Sequence, residues 1–186
     1  MFENFTVLQF VALAIAIVCG VIDFKTTKIP NLITFPATVL GWILSYIYGG
    51  GWPAVGSAVL GSIIGVALSI APKLLDKKRD PIGFGDAKLL MAMGAFLGWV
   101  GVLLVWFYFS LAWGVIAVVR FVSVLPLKSL MGAIFAKQAG GNLLSAETAR
   151  KVQKVMQDPI PVAPAIAAGV LLSELWGKET LKFMGF

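Results

Sequence analysis

Long apolar runs separated by short polar stretches dominate the hydrophobic pattern of this chain. A membrane-spanning helix needs about 20 predominantly apolar residues. Runs close to that length cover 5–22, 32–48, 54–71, 87–119 and 160–176. The fourth run is too long for one span, and its centre, from Gly98 to Gly101, is typical of a tight turn. The pattern therefore predicts an all-α, polytopic membrane protein with six transmembrane helices, in a single membrane-embedded domain over residues 1–186.

Two further patterns concern helices inside and beside this predicted bundle. Gly-x-x-x-Gly sequences begin at Gly61 and at Gly94, and such spacing predicts close packing between helices. Apolar residues at helical spacing over 127–135, with lysines alongside, predict an amphipathic helix on the cytoplasmic surface. A second cytoplasmic surface helix is predicted over 145–156, after a pair of glycines that ends the first.

The basic residues orient the predicted bundle in the membrane. Lys25 and Lys28 follow the first span, and basic clusters at 73–79 and 120–154 follow the third and fifth spans. The loops on the opposite side, around 49–53 and 98–101, carry no Lys or Arg. Since cytoplasmic loops are enriched in Lys and Arg, we expect a multi-pass protein of the inner (plasma) membrane with its charged loops in the cytoplasm.

Composition changes this interpretation little, but it excludes several function classes. The chain is 59% hydrophobic and 13% charged, whereas soluble domains carry about 25% charged residues. Its net charge of +6 follows from the membrane topology, so no nucleic-acid partner is predicted. With no histidine and one cysteine, the chain offers no His-based metal site, no His-based triad and no disulfide. We expect no metal and no cofactor.

Two aspartates carry the candidate chemistry. Asp23 ends the first apolar run and Asp86 precedes the fourth, so the topology places both at the cytoplasmic end. Two facing carboxylates cannot both ionise cheaply; one keeps its proton as an acid and the other activates water. Asp86 could instead be a plain N-cap, and Asp23 the polar end of a span. Their joint occurrence in a chain so poor in acids favours a catalytic pair that hydrolyses a peptide bond.

Four further residues near the aspartates are candidate substrate-binding residues. Gly83 and Gly85 lack a Cβ, so a substrate backbone could pass close to Asp86 and pair with this loop. Lys88 could pair with a phospholipid or a carboxylate. Asn31 completes the set, and we expect its side chain to cap the second helix.

Three segments together resemble the type IV prepilin peptidases, a family of GxGD intramembrane aspartyl proteases. They are Asp-Phe-Lys-Thr-Thr-Lys-Ile-Pro-Asn at 23–31, Gly-Phe-Gly-Asp-Ala-Lys at 83–88 and Ile-Pro-Val-Ala-Pro at 160–164. The resemblance implies that Asp23 and Asp86 are catalytic. It also implies that the substrates are prepilin-like proteins, whose basic leader is removed at the cytoplasmic face just before their hydrophobic helix.

Many larger members of that family also methylate the new N-terminus and carry a cytoplasmic domain with paired CxxC motifs. The single cysteine and the short interval between the first two predicted helices indicate the small, peptidase-only type. We therefore expect no methyltransferase activity. The identity of the pilin substrate and the oligomeric state stay open, and membrane lipid is the other expected partner.

Two alternatives use the same residues differently. A proton- or ion-coupled transporter also employs intramembrane aspartates, but it predicts carboxylates near the bilayer midplane beside broken helices. A non-enzymatic scaffold would need only the glycine-rich packing surfaces. The expected position of Asp23 and Asp86 near the cytoplasmic end argues against the transporter.

Overall fold

The computed structural model describes residues 6–75, 84–124, 162–183 and 185, and every regular element in these ranges is a helix. The helices are α1 (Val7–Thr26), α2 (Asn31–Tyr48), α3 (Trp52–Leu75), α4 (Phe84–Val124) and α5 (Ala163–Phe183). The all-α prediction is confirmed for this part of the chain. The two surface helices predicted over 127–135 and 145–156 lie outside the described residues.

Four of these helices are long and apolar enough to cross a membrane: α1, α2, α3 and α4. The polytopic membrane prediction agrees with this finding. The fifth helix, α5, carries charged residues in its second half, among them Glu174, Lys178 and Glu179. Six transmembrane helices therefore remain a prediction.

Helix α1 continues past the end that its apolar run predicts. Thr6 caps the start of α1 in a capping box. The Thr6 hydroxyl accepts a hydrogen bond from the backbone N–H of Gln9, and the side-chain oxygen of Gln9 accepts one from the backbone N–H of Thr6. The helix then extends through Asp23 to Thr26 and ends at Thr27, which has a left-handed backbone (φ 53°) and donates its N–H to the Asp23 carbonyl at 2.7 Å. Asp23 thus lies in the last helical turn and not beyond it.

The predicted cap of α2 is wrong. The N-cap residue is Pro30, which has no side-chain capping bond, and Asn31 is already the first helical residue. At the other end, the turn into α3 uses Gly50 and Gly51, both with positive φ. Asn31 is free of the capping role, so its side chain can reach the neighbouring helix.

Helix α4 is broken at Gly98. This residue has φ 70° and ψ −174°, a backbone region that is open essentially to glycine alone. A Cβ at Gly98 would also lie 2.6 Å from the Ser57 hydroxyl. The predicted break is confirmed, but the predicted four-residue turn is wrong, because residues 99–101 are helical.

The first half of α4 packs closely on α3 and α2 through small residues. A Cβ at Gly94 would overlap the Gly61 backbone, and a Cβ at Gly65 would come within 2.5 Å of the Leu90 carbonyl oxygen. On the α2 side, the Ser45 hydroxyl donates to the Ala95 carbonyl at 3.0 Å. The predicted close packing of the glycine spacings is confirmed.

The second half of α4 packs on α5, and α5 packs on α1. A Cβ at Gly169 would lie 2.8 Å from the Phe109 amide nitrogen, and the Tyr108 and Thr180 hydroxyls are 2.6 Å apart. Near the start of α5, Pro164 lies against Gly20 of α1. All of these contacts belong to one compact unit (Met1–Ala112 with Pro161–Phe186); a second unit spans Trp113–Ile160, and its described part is the C-terminal end of α4.

Candidate functional site

Asp23 is a buried carboxylate at the start of another helix. It is 5% exposed, and its Oδ2 accepts a hydrogen bond from the Ala163 backbone N–H at 3.0 Å. Ala163 is the first residue of α5, and the first N–H groups of a helix have no partner within it. The carboxylate therefore satisfies an unpaired donor and lies at the positive end of the α5 dipole.

This bond explains why α1 runs on through Asp23. A buried carboxylate is costly unless hydrogen bonds replace the lost water, and the dipole of α1 itself opposes a negative charge in its last turn. The backbone N–H of Ala163, in α5, supplies a hydrogen bond to the Asp23 carboxylate from outside α1. Sequence reasoning assigned Ala163 no role, and its one signal was that Ala163 lies in the third segment of the family resemblance.

Asp86 is also buried, with 7% exposure, and it lies in the first turn of α4. The helix begins at Phe84, so Asp86 is its third residue and the alternative of a plain N-cap is wrong. An acidic side chain in a first turn is favoured by the helix dipole. Each aspartate thus occupies a buried position at one end of a helix.

The loop after α1 brings these two helix ends into the same region. Ile29 of this loop lies against Gly85 of α4, where a Cβ would be 3.2 Å from the Ile29 Cβ. Gly85 therefore lacks a side chain at a point where Ile29 fills the space. Because Ile29 follows α1 closely and Gly85 adjoins Asp86, the two aspartates lie at the same end of the bundle. Gly83 lies outside the described residues.

Lys88 and Asn31 contact one another. The Lys88 ammonium donates to the Asn31 Oδ1 at 2.7 Å and lies 5.2 Å from the centroid of the Phe35 ring. The pair joins the start of α4 to the start of α2. The expected partner of Lys88 was a phospholipid or a carboxylate; the partner in the structure is a neutral amide with an aromatic ring.

A groove of about 310 Å³ lies on the surface between the C-terminal part of α1 and the start of α5. Its walls include Gly20, Phe24 and Lys25 of α1 and Pro164 of α5. Within the described ranges, no three His, Cys, Asp or Glu side chains come together to hold a metal ion. At this end the described residues offer two buried carboxylates, the backbone amide of Ala163 and the contact between Lys88 and Asn31.

Comparisons with known proteins identify a matching family and several relatives. Residues 10–118 match the model of the type IV leader peptidase family. The chain is similar to proteins named prepilin leader peptidase/N-methyltransferase. It is 31% identical to the protein from Aeromonas salmonicida over 166 residues, which are 87% of this chain and 46% of that protein. It is 27% identical to the one from Pseudomonas putida over 174 residues, 90% of this chain and 50% of that protein.

The chain spans about half the length of these curated relatives. A third relative with the same name, from Aeromonas hydrophila, is 30% identical over 87% of this chain and 47% of its own length. The search of solved structures found no match.

Proposed function

Since the chain belongs to the type IV leader peptidase family, we propose that Asp23 and Asp86 form the catalytic pair of an intramembrane aspartyl endopeptidase. Its substrates are prepilin-like proteins, from which it removes a basic leader at the cytoplasmic face. The observation that carries the proposal is the burial of both carboxylates at the same end of the bundle. The relatives named prepilin leader peptidase support the substrate class.

The chemistry of such a pair requires one protonated and one ionised carboxyl. The ionised carboxylate takes a proton from water, and the water oxygen attacks the scissile carbonyl carbon. The protonated carboxyl gives its proton to the carbonyl oxygen, and a tetrahedral intermediate forms. The carboxyl that took the proton from water then gives it to the amide nitrogen, and the other carboxylate takes a hydroxyl proton of the intermediate as the C–N bond breaks, which restores one protonated and one ionised carboxyl. No covalent bond to the enzyme is needed.

Two features of the described structure support this mechanism. The bond from the Ala163 amide holds Oδ2 of Asp23, so that the orientation of this carboxylate is restricted. For the region close to Asp86, we propose that the leader lies extended and pairs its main-chain groups with the loop of Gly83 and Gly85, of which Gly83 lies outside the described residues. The transporter alternative requires carboxylates near the middle of a span, whereas Asp23 and Asp86 occupy terminal turns.

The proposed membrane arrangement has six spans and a cytoplasmic site. The two halves of α4, on either side of Gly98, each count as one span, together with α1, α2, α3 and α5. The lysines of the loop after α1 support a cytoplasmic location for the end with Asp23 and Asp86. The protein is then a multi-pass protein of the inner membrane. Because this chain contains one cysteine and no CxxC pair, peptidase activity without methyl transfer is proposed for it.

Cleavage by the purified protein tests the proposal. A prepilin-like substrate with a basic leader and an apolar helix is incubated with wild type, Asp23→Asn and Asp86→Asn, and the products are identified by mass spectrometry. We expect wild type to release the leader at its junction with the apolar helix. Each single variant is expected to release none, because a neutral amide can neither accept the proton of water nor donate an acidic one.

A matched control is Glu179→Gln, which makes the same chemical change at an exposed position near the end of α5. This variant should cleave like wild type. Equal cleavage by Asp23→Asn and wild type would exclude the proposed pair. Proton-linked solute flux in vesicles, lost with either Asp→Asn change while no substrate is cut, would instead establish the transporter.

A further inference from the structure

We propose that Lys88 is a positioning residue that fixes the start of α4, and with it Asp86, against the start of α2. This inference rests on the proposed function for its catalytic consequence. The contact itself is independent of that function. We call the three side chains that form it, Lys88, Asn31 and Phe35, the α2–α4 clamp.

The geometry shows a side chain that is held at its charged end. The Lys88 ammonium donates to Asn31 Oδ1 at 2.7 Å and lies over the Phe35 ring at 5.2 Å from its centroid. The ammonium of a lysine is a compact and strongly hydrated charge. Here an amide oxygen and an aromatic face, both on the first turns of α2, replace part of that hydration.

The position of the clamp links it to Asp86 through the backbone. Residues two apart on a helix do not face each other, so Lys88 does not act by pairing with the Asp86 carboxylate. Both residues lie in the first turns of α4, and a displacement of this segment moves them together. The contact between Ile29 and Gly85 is a second attachment of the same segment, one turn away.

Charge argues against a direct role of Lys88 in holding the leader. The proposed leader is basic, and an ammonium beside it would repel it. A clamp needs the positive charge for a different reason, because a charged donor makes a stronger hydrogen bond to Asn31 than a neutral one. Catalysis is sensitive to such anchoring, since a misplacement of about 1 Å at the reacting groups can cost roughly 100-fold in rate.

Steady-state kinetics of four variants separate positioning from substrate binding. Lys88→Met keeps an unbranched side chain on Phe35 but removes the donor, and Asn31→Leu removes the acceptor. Each is expected to lower kcat about tenfold or more, with KM for the substrate within about twofold of wild type. The double variant should be no slower than the slower single variant, because the two changes remove one bond. Lys88→Arg should restore most of kcat, since a guanidinium can also donate to Asn31 and stack on Phe35.

The control is Lys28→Met, which removes a positive charge from the exposed loop beside the same helix ends. It should leave kcat unchanged. A raised KM with unchanged kcat in Lys88→Met would overturn the clamp and establish substrate binding. The clamp would also be overturned if the fold loss of kcat in the double variant equalled the product of the losses in the two single variants.

A second measurement keeps the clamp testable if the wild type cleaves no prepilin-like substrate. The midpoints of thermal unfolding in detergent are compared for wild type, the two single variants and the double variant. If the shift of the midpoint in the double variant is smaller than the sum of the two single shifts, the clamp is supported. In that case only the peptidase proposal fails. Shifts that add overturn the clamp whatever the activity of the protein.

Discussion

The Asp23 carboxylate and the Ala163 amide are 140 residues apart in the sequence and 3.0 Å apart in space. At the scale of the single residue, this bond is the clearest sign that Asp23 is more than the polar end of a span. The donor is one of the first backbone N–H groups of a helix, which have no partner within that helix. The bond therefore requires α5 to begin at the depth of Asp23. The position of one side chain therefore depends on where another helix begins.

Ala163→Pro tests the role of this bond. Proline lacks the N–H but is well tolerated at the first position of a helix, so α5 should still form. A hydrogen bond to a charged group contributes about 1.5–3 kcal/mol, and we expect kcat for leader cleavage to fall about tenfold or more, with KM little changed. The measurement is steady-state cleavage of the prepilin-like substrate.

Ala163→Gly is the matched control, because it changes the same buried side chain and keeps the amide hydrogen. It should retain nearly all of the wild-type kcat. Equal losses of kcat in the proline and glycine variants would show that packing at Ala163, and not its amide, supports Asp23.

Residue types in the sequence singled out Asp23 and Asp86 as candidate catalytic residues and Lys88 and Asn31 as candidate binding residues, because charged or polar groups beside long apolar runs are conspicuous; these roles stay predictions. The partners of these residues were not predictable in the same way. A backbone N–H, such as that of Ala163, leaves no mark in the amino-acid type, and Phe35 is one aromatic residue among many. Both contacts join segments that are distant in sequence, so only the three-dimensional packing identifies them.

At the scale of the element, the break in α4 follows from one residue. Gly98 combines a positive φ with an extended ψ and lies against Ser57, so a side chain there meets both strain and a steric clash. The sequence predicted the position of this break correctly. It predicted a turn from Gly98 to Gly101, whereas only Gly98 departs from helical backbone angles within α4. The helix resumes directly after Gly98, because Trp99 and Val100 can continue a helix once the chain direction has changed.

Gly98→Ala should therefore destabilise the protein. Backbone strain of this kind costs about 1–3 kcal/mol, and the clash with Ser57 adds to it. We expect a lower midpoint of thermal unfolding in detergent micelles. Gly56→Ala is the control, since Gly56 is helical and a Cβ there would meet no atom within 4 Å; its midpoint should not fall. Equal midpoints for Gly98→Ala and wild type would contradict the strain at Gly98.

At the scale of the whole molecule, hydropathy predicted the positions of the described helices better than their ends, and the number of six spans stays a prediction. Helices α1 and α3 extend beyond their apolar runs, because polar residues there can still form helical hydrogen bonds. Helix α5 packs on α1 and α4 although its second half is charged, so apolar length alone does not identify it as a span. Burial between neighbouring helices is a tertiary property that no local run of residues encodes.

The proposed orientation predicts which positions face the cytoplasm. In a Cys19→Ala background, single cysteines replace Lys28, Trp52 or Glu179, each of which is exposed. In intact bacterial cells that express the protein, a membrane-impermeant maleimide should label the Trp52→Cys and Glu179→Cys variants. The Lys28→Cys variant should be labelled only after the cells have been permeabilised. Labelling of Lys28→Cys in intact cells would place the aspartates on the outer side.

The hydrogen bond between α1 and α5 has a consequence for the order of synthesis. Asp23 leaves the ribosome long before Ala163, so the nascent chain carries this carboxylate without its amide donor until the last helix has been made. Under the proposed mechanism, a chain cut short before residue 163 inserts its first helices but lacks an assembled catalytic centre. On this proposal, we expect the newly made protein to be inactive towards its membrane neighbours until α5 is in place.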